Sequence, residues 1–187
     1  MIAPSKPAVM LVDGYNVIGA HPKFQDLRDN EGLEEARRAL IELLANYSAY
    51  QNYETDIVFD AHYQERPGSR NPVTQHLAVA YTHFNQTADS YIERSCALFF
   101  REDIRRFEKR MIVATSDRAQ WMTAVGYGAE WMSAPTLIQA ALTCGSKAKK
   151  HRNRTKQSKK RFLSSGLDQS VQSKLARMRE DLLNRGS

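Results

Sequence analysis

The sequence contains few cysteines and no arrangement of residues typical of a zinc site. Its 187 residues include two cysteines, Cys96 and Cys144, and neither belongs to a CxxC pair. Two cysteines do not make a disulfide framework, so we expect no disulfide partner and a reduced, cytoplasmic compartment. The five histidines show no ligand spacing with the cysteines, which argues against bound zinc.

Long apolar stretches and common nucleotide-binding motifs are also missing. No run of about 18 apolar residues occurs, so we expect no membrane span. The first residues contain Pro4 and Pro7 and lack a long apolar core, so no signal peptide is expected. The sequence has no GxGxxG motif, no GxxxxGKS/T phosphate loop and no serine–histidine triad spacing.

Positive charge is concentrated towards the C-terminus. The formal net charge is +6, but residues 145–187 hold 13 Lys and Arg against 3 acids, whereas residues 1–144 hold 14 against 18. We predict a domain over 1–144 and a basic extension over 145–187, made of a linker and a helix at 167–184. The extension favours a polyanionic partner such as nucleic acid, and a solvated tail is the alternative. Its RNA-binding candidates are Lys149, Lys150, Arg152, Arg154, Lys159, Lys160 and Arg161.

Apolar runs and helical periodicity alternate along the first 144 residues. The runs predict strands at 8–13, 55–60, 77–83, 110–116 and 129–132. Apolar residues spaced three and four apart predict helices over 31–51, 88–101 and 117–126, and a last helix capped by Ser133. The stretch before residue 31 is predicted to be a polar loop, with Asn30 as the helix cap. This alternation predicts an α/β fold with a mainly parallel sheet and right-handed crossovers.

Three of the predicted strands end at an aspartate. Asp13, Asp60 and Asp117 follow apolar runs, and Asp89 opens the helix after the third strand. The carboxyl ends of parallel strands lie at one edge of a sheet, where α/β proteins place ligands. Clustered carboxylates repel one another unless a cation lies among them. Mg²⁺ and Mn²⁺ prefer oxygen ligands and can activate water against a phosphodiester, so the pattern favours metal-dependent phosphodiester hydrolysis.

Three of these acids also have a structural interpretation. Asp117 could cap the following helix together with Ser116, and Asp89 could be a first-turn acid favoured by the helix dipole. Asp60 could pair with Arg66 or Arg70.

Several neighbouring residues carry a second functional interpretation. Asn16 could orient a metal-bound water or the Asp13 carboxylate, or it could be a turn residue. Ser116 could help to bind phosphate at a helix N-terminus, or it could be a plain cap. Arg66 and Arg70 lie in a predicted mobile loop at 62–72, where they could hold the RNA backbone or be ordinary exposed charges. Packing in the core, rather than base stacking, is predicted for Tyr91, Phe99, Phe100 and both tryptophans.

Four motifs resemble those of a known family. The sequence LVDGYN at 11–16 resembles the first motif of the NYN domain, a branch of the PIN-like nucleases. The sequences VFDA at 58–61, TADSYIER at 87–94 and ATSD at 114–117 resemble later motifs of its YacP-like subgroup, and GAEWMS at 128–133 fits the last strand of that subgroup. The similarity covers about residues 8–142, and the motifs occur in the expected order.

The resemblance implies a PIN-like three-layer α/β/α sandwich with a metal-dependent endoribonuclease site. Characterised relatives associate with ribosomes and cleave messenger RNA there, so RNA and the ribosome are the implied partners. Asp13, Asp89 and Asp117 match core acidic positions, with Asp60 as a fourth and Asn16 as a supporting residue. The basic extension is expected to lie outside the pattern that the subgroup shares.

The leading hypothesis is an endoribonuclease that uses one or two Mg²⁺ or Mn²⁺ ions. Asp13, Asp89 and Asp117 would bind the metal, with Asp60 as a substitute for Asp117. A catalytically inactive module that binds RNA or the ribosome is the second hypothesis, and a small phosphoesterase is the third.

Overall fold

A six-stranded sheet runs through the part of the chain that the computed structural model describes, residues 6–60 and 67–146. Its strands are β1 (Ala8–Asp13), β2 (Tyr53–Phe59), β3 (Ser69–Thr74), β4 (Leu77–Tyr81), β5 (Arg110–Ala114) and β6 (Glu130–Met132). They lie in the order β3-β4-β2-β1-β5-β6. All neighbouring strands are parallel except β3 and β4, which are antiparallel.

Strand β1 lies in the interior of the sheet between β2 and β5, and all six of its residues are buried. A strand that is covered on both faces needs apolar side chains throughout, which explains the uninterrupted apolar run before Asp13. Asp13 lies opposite Val58 of β2, and Val12 lies opposite Ala114 of β5. This register brings the carboxyl ends of the three strands to the same edge of the sheet.

Helices cover both faces of the sheet. They are α1 (Gly14–Ala20), α2 (Pro22–Glu31), α3 (Leu33–Gln51), α4 (Ala88–Arg101) and α5 (Arg118–Tyr127), with a 3₁₀ turn at Ile104–Phe107. Residues 134–146 form a further helix, α6. None of the helices within 6–60 and 67–146 is both long enough and apolar enough to cross a bilayer.

Alternate side chains of β1 contribute to two separate apolar cores. Met10 and Val12 pack with residues of α1, α2, α3 and α6, whereas Val9 and Leu11 pack with residues of α4 and α5. Successive strand residues point to opposite faces, so the sheet separates two helical layers. The predicted α/β/α sandwich with a mainly parallel sheet is therefore confirmed.

The predicted strands and the helices over 31–51, 88–101 and 117–126 are confirmed, and their ends are displaced by at most two residues. Ser133 caps α6 as expected, because its hydroxyl accepts a hydrogen bond from the Thr136 N–H at 3.3 Å. The chain divides into two units, Met1–Gly145 and Ser146–Ser187. The predicted linker and the helix at 167–184 lie outside the described residues, apart from residues 145 and 146.

The polar loop predicted before residue 31 is wrong, because that stretch forms α1 and α2. Asn30 lies inside α2, and the residue before α3 is Gly32, which makes no side-chain cap. Helix α2 buries only Phe24 and begins at Pro22, with the His21 side chain accepting the Lys23 N–H. A helix with one buried residue has almost no apolar stripe, so periodicity does not reveal it.

The predicted loop at 62–72 is also wrong in its second half, because Ser69–Thr74 forms strand β3 at the edge of the sheet. All six of its residues are exposed. An exposed edge strand shows no alternation of apolar and polar residues, and it tolerates Pro72 because one side of the strand has no neighbour.

Candidate acidic site

Four aspartates surround the carboxyl ends of β1, β2 and β5. Asp13 is the last residue of β1, and Asp60 follows β2 directly. Asp117 follows β5 after two further residues, and Asp89 lies in the first turn of α4. We call these four residues the acidic site. Asp13 is buried, with 8% of its surface exposed, and Asp60 is half-buried. The other two are exposed.

The side chain of Gln120 joins two of these carboxylates. Its amide nitrogen Nε2 donates to Oδ2 of Asp13 at 3.3 Å and to Oδ1 of Asp89. The acids are 76 positions apart in sequence, yet they contact the same nitrogen atom. The expectation that distant aspartates converge at this edge is therefore met for Asp13 and Asp89.

Three of the aspartates also cap helices with one of their oxygens. Oδ1 of Asp13 accepts the Asn16 N–H at 3.0 Å at the start of α1. Oδ1 of Asp117 accepts the Gln120 N–H at 2.9 Å at the start of α5. Oδ1 of Asp60 accepts the N–H of Ala88, the first residue of α4. The capping role considered for Asp117 is confirmed. The three capping hydrogen bonds fix the carboxylates of Asp13, Asp60 and Asp117 at the edge of the sheet.

The negative charges of the site are not neutralised by basic side chains within the described ranges. None of the four aspartates forms an ion pair with a Lys or Arg of those ranges. Burial raises the pKa of Asp13, hydrogen bonds from Asn16 and Gln120 oppose this, and the charges of Asp89 and Asp60 raise it further. Burial also raises the pKa of Asp89, followed by the charges of Asp117 and Asp60.

Asn16 and Ser116 connect the acidic site to the layer behind it. Oδ1 of Asn16 accepts the Ser116 N–H at 2.7 Å, so the amide fixes the turn that leads to Asp117. The Ser116 hydroxyl accepts the N–H of Ala134 at 3.3 Å, at the start of α6. Both side chains therefore hold the backbone of the site in place.

Gly14 has a packing reason for lacking a side chain. A Cβ atom at this position would lie 2.3 Å from the ring of Phe59. That ring contacts the Tyr15 ring edge-on at a centroid distance of 5.0 Å, and the Tyr15 hydroxyl accepts from Arg37 at 3.1 Å. The LVDGYN sequence therefore encodes a close approach of α1 to β2 as well as a carboxylate.

Arg66 and Arg70 do not both fall on described residues. Arg66 lies outside them, as do the seven basic candidates of the extension. Arg70 lies on β3, and its guanidinium pairs with Asp56 at 2.7 Å. Asp56 is the middle residue of β2, and the pairing of Asp60 with Arg70 is not observed.

Sequence reasoning missed Gln120 and misjudged the tryptophans. Gln120 lies three residues after the capping Asp117, a spacing that predicts a capping box with the side chain turned back to the Asp117 N–H. The side chain instead reaches Asp13 and Asp89, and no pattern in the sequence shows this. Trp121 and Trp131 are stacked at 5.0 Å, but Trp131 is 45% exposed. The expectation that both tryptophans are core residues is therefore wrong for Trp131.

The side chains of the acidic site are of the kind that binds a hard cation, but too few of them converge on one point. Carboxylate oxygens are the ligands that Mg²⁺ and Mn²⁺ prefer. Among residues 6–60 and 67–146, however, no group of three or more His, Cys, Asp or Glu side chains lies close enough to hold a metal ion. Two acids, Asp13 and Asp89, converge on one point, and an amide lies at that point. A small cavity of about 110 Å³ opens beside it, lined in part by Asp89, Glu93 and Gln120.

Comparison with known proteins relates the chain to one family. The family model described as the YacP-like NYN domain matches residues 10–180. The chain is also 37% identical over 136 residues to the YacP protein of Bacillus subtilis (strain 168), an alignment that covers 72% of this chain and 75% of that protein.

Solved structures agree with these matches. The crystal structure of Rae1 (YacP) from Bacillus subtilis has a TM-score of 0.65 at 31% identity, over 96% of this chain and 98% of that chain. A single-residue variant of the same protein gives 0.65 at 32% identity, over 80% and 84%. The predicted resemblance is confirmed. Because the family model reaches residue 180, the expectation that the basic extension lies outside the shared pattern is wrong.

Proposed function

Because the chain belongs to the family of YacP-like NYN domains, we propose that it is a metal-dependent endoribonuclease. Its substrate is RNA, and messenger RNA on the ribosome is the form of RNA that we propose it cleaves. The nuclease fold of the family supports the general class of activity.

The observation that carries the proposal is the convergence of unneutralised carboxylates. Asp13 and Asp89 contact one nitrogen atom of Gln120, and their pKa values are raised by burial and by neighbouring acids. Such repulsion costs stability, and a divalent cation removes it. Helix capping explains one oxygen of Asp13, but it does not explain why no basic side chain of the described ranges neutralises Asp13 or Asp89.

The residues of the site divide the work between binding and positioning. Asp13 and Asp89 would hold one Mg²⁺ or Mn²⁺ ion. Asp117 and Asp60, whose charges act on Asp89, would contribute through a bound water or a second ion. A bound ion would supply an activated water and stabilise the charge that develops on the phosphate. Asn16 holds the turn before Asp117, and the backbone caps fix the carboxylates, so little reorganisation is needed during the reaction.

The domain and its acidic site are negatively charged and repel RNA, whereas the basic extension attracts it. Residues 145–161 contain nine Lys or Arg and no acid. Contacts of such residues with phosphates release counterions and give affinity with little sequence preference. We propose that the extension binds messenger or ribosomal RNA, in the cytoplasm, while the acidic site cuts.

The test is cleavage of a purified messenger RNA, with and without ribosomes, in the presence of Mg²⁺, Mn²⁺ or chelator. We expect metal-dependent cleavage by the natural sequence and none by Asp89→Asn. Asp103→Asn is the matched control, because Asp103 is an acid paired with Arg105 away from the site. Equal cleavage by all three proteins would show that the nuclease activity comes from a contaminant and would overturn the proposal.

A second candidate is a module that binds RNA or the ribosome without cutting it. One observation favours this candidate: in the described ranges no three metal-binding side chains converge, and an amide lies between Asp13 and Asp89. RNA binding that persists without cleavage under any metal, with or without ribosomes, would select this function.

A further inference from the structure

The two tryptophans of the chain form a stacked pair at one edge of the sheet. Trp121 lies in α5 and Trp131 lies in β6, which is an edge strand of the described sheet. Their ring centroids are 5.0 Å apart, and the ring planes meet at an angle of 26°. Trp131 is 45% exposed. A large aromatic ring that is left this exposed beside a second one indicates a binding surface.

The polar group of the Trp131 indole is already satisfied within the fold. Its Nε1–H donates to the backbone carbonyl of Thr115 at 2.8 Å, and one face of the ring packs against Trp121. These contacts fix the orientation of the indole and leave the opposite side of the ring for a ligand. Because the ring is rigid, a planar ligand can stack on it at little cost in side-chain entropy.

The stacked pair lies close to the acidic site. Trp131 is level with Val113 of β5. Val113 is level with Leu11 of β1, two residues before Asp13. The backbone of Trp131 is therefore separated from that of Asp13 by about 7 Å along the strands and about 10 Å across two strand spacings. The hydrogen bond to Thr115 draws the indole further towards the carboxyl ends, so a strand of RNA at the acidic site can reach it.

A guanidinium group lies between the stacked pair and the acidic site. Arg118 begins α5 directly after Asp117 and precedes Trp121 by one turn, so Arg118 and Trp121 share a face of the helix. Arg118 is exposed and forms no ion pair with an acid of the described ranges. A free guanidinium binds phosphate strongly. A cation beside an aromatic stack is the combination by which proteins hold single-stranded nucleic acids.

We propose that Trp131, backed by Trp121, is a stacking platform for a nucleobase of single-stranded RNA, and that Arg118 holds a neighbouring phosphate. The inference rests on the proposed function, because it specifies how the substrate of the nuclease is placed. Every base has a π face, so the platform accepts all four bases. Bases inside a duplex are not available for such stacking, so the platform selects unpaired RNA.

The competing explanation is that the exposed apolar side chains of this edge bind a protein. Val125, one turn after Trp121, is exposed as well and would extend an apolar contact. Arg118 and the nearby acidic site favour RNA over a protein partner. The two explanations also differ in their demands on Trp131. A protein contact needs apolar area, which leucine partly supplies, whereas a base needs an aromatic ring, which phenylalanine retains.

Intrinsic fluorescence tests the inference on the natural sequence, because Trp121 and Trp131 are its only tryptophans. The full chain is titrated in chelator, to prevent cleavage, with a short oligouridine and with an oligomer of the same length and charge that lacks bases. We expect the oligouridine to quench the fluorescence, because a base stacks on the indole. The oligomer without bases should bind the basic extension through its phosphates and leave the fluorescence unchanged.

Variants of Trp131 measure how much the platform contributes to affinity. Trp131→Leu should raise the Kd for labelled oligouridine, measured by fluorescence anisotropy, by roughly 5- to 100-fold. Trp131→Phe should restore most of the affinity, and neither variant should change the Kd for the oligomer without bases. Tyr50→Leu is the matched control, because Tyr50 is a 53% exposed aromatic residue of α3, in the other helical layer. Its Kd for oligouridine should stay the same.

The inference is overturned if oligouridine does not quench the fluorescence or if both oligomers quench it equally. It is also overturned if Trp131→Leu binds oligouridine as tightly as the natural sequence, or if Trp131→Phe is as weak as Trp131→Leu. If Trp131→Leu weakens association with ribosomes but not with oligouridine, the surface binds protein and the platform is refuted.

The platform and the proposed nuclease can fail separately. Quenching that depends on Trp131, in a protein that cleaves no RNA with any metal, would keep the platform and refute the nuclease. Metal-dependent cleavage without quenching would keep the nuclease and refute the platform.

Discussion

The two ends of the central sheet carry similar acids in opposite electrostatic settings. At the amino ends of β2 and β5, Glu54 pairs with Arg105 at 2.7 Å and with Lys109. Asp103, in the turn that leads to β5, pairs with the same Arg105. At the carboxyl ends, the four aspartates of the acidic site pair with no cation of the described residues. Basic side chains of the fold neutralise the acids at the amino ends. No basic side chain of the described residues neutralises the aspartates at the carboxyl ends.

The pKa values follow this difference. Burial raises the pKa of Glu54, but hydrogen bonds from Lys109 and Arg105 outweigh burial and hold it below its ordinary value. Hydrogen bonds from Arg105 lower the pKa of Asp103 in the same region. At the other end, the pKa of Asp13 is raised. The acids of the first end therefore stabilise the fold, whereas the raised pKa of Asp13 at the second end costs stability, and we propose that this cost serves function.

The largest effect that we expect is the loss of cleavage when an acid of the second end is neutralised. Asp89→Asn removes a proposed metal ligand, and transition-state stabilisation by a metal is worth several kcal/mol, so the rate should fall by about a hundredfold or more. Asp103→Asn at the first end should leave the rate unchanged. Single-turnover cleavage of a labelled RNA checks this, and similar rates for both variants would contradict the functional difference between the ends.

The next largest effect that we expect is on the affinity for RNA and its dependence on salt. Truncation after Gly145 removes nearly all of the basic extension, so we expect weaker RNA binding and a flatter dependence of log K on log salt. Each lost phosphate contact should reduce the slope by about 0.7 for single-stranded RNA. Fluorescence anisotropy at several salt concentrations measures it. A slope that the truncation leaves intact would mean that residues of the domain itself attract the RNA.

A smaller effect is expected at the paired end. Glu54→Gln removes two ion pairs, but the Glu54 side chain is 42% exposed, so solvent screening limits their contribution. We expect a loss of about 1 kcal/mol or less in the free energy of unfolding, with normal cleavage of RNA. Urea denaturation gives the stability change. A marked loss of cleavage in a folded variant would refute the division of roles.

The smallest effect is a gain in stability at the unpaired end. Because the pKa of Asp13 is raised in the folded protein, mainly by burial, its carboxylate destabilises the fold at a pH above that raised value. The effect disappears below the ordinary value of 3.8. We expect Asp13→Asn to increase the free energy of unfolding at pH 7 without metal, and the gain to shrink as the pH falls towards 3.8. Urea titrations at several pH values test the sign, and a variant less stable at pH 7 would reverse it.

The sequence predicts the buried parts of this fold well and the exposed parts poorly. Strands β1 and β5 and the last three residues of β2 are buried, so each needs an apolar run, and the run reveals the strand. Helix α2 and strand β3 bury little or nothing. Their formation depends on capping residues and on neighbouring elements, which leave almost no periodic pattern.

The acidic site is predictable in its carboxylates but not in its contacts. Parallel strands with apolar runs are enough to bring Asp13, Asp60 and Asp117 to one edge. The partner of each acid depends on side chains that are distant in sequence. No local pattern separates Asp56, which meets Arg70, from Asp60, which meets a helix N-terminus, nor does one show that Gln120 reaches Asp13.

Strand β2 supplies an acid to both ends of the sheet, and this makes its length critical. Glu54 lies near its beginning, and Asp60 follows its end, with Ile57 held opposite Val12 of β1. An insertion or deletion of one residue between these two acids shifts one end of β2 relative to its neighbours. If the end of the strand keeps its register, the ion pairs at the beginning are lost, and if the beginning keeps its register, Asp60 is displaced from the acidic site. The length of β2 thus fixes the separation of the two acids. We expect the gain or loss of a single codon in this strand to impair the protein as much as the loss of Asp60.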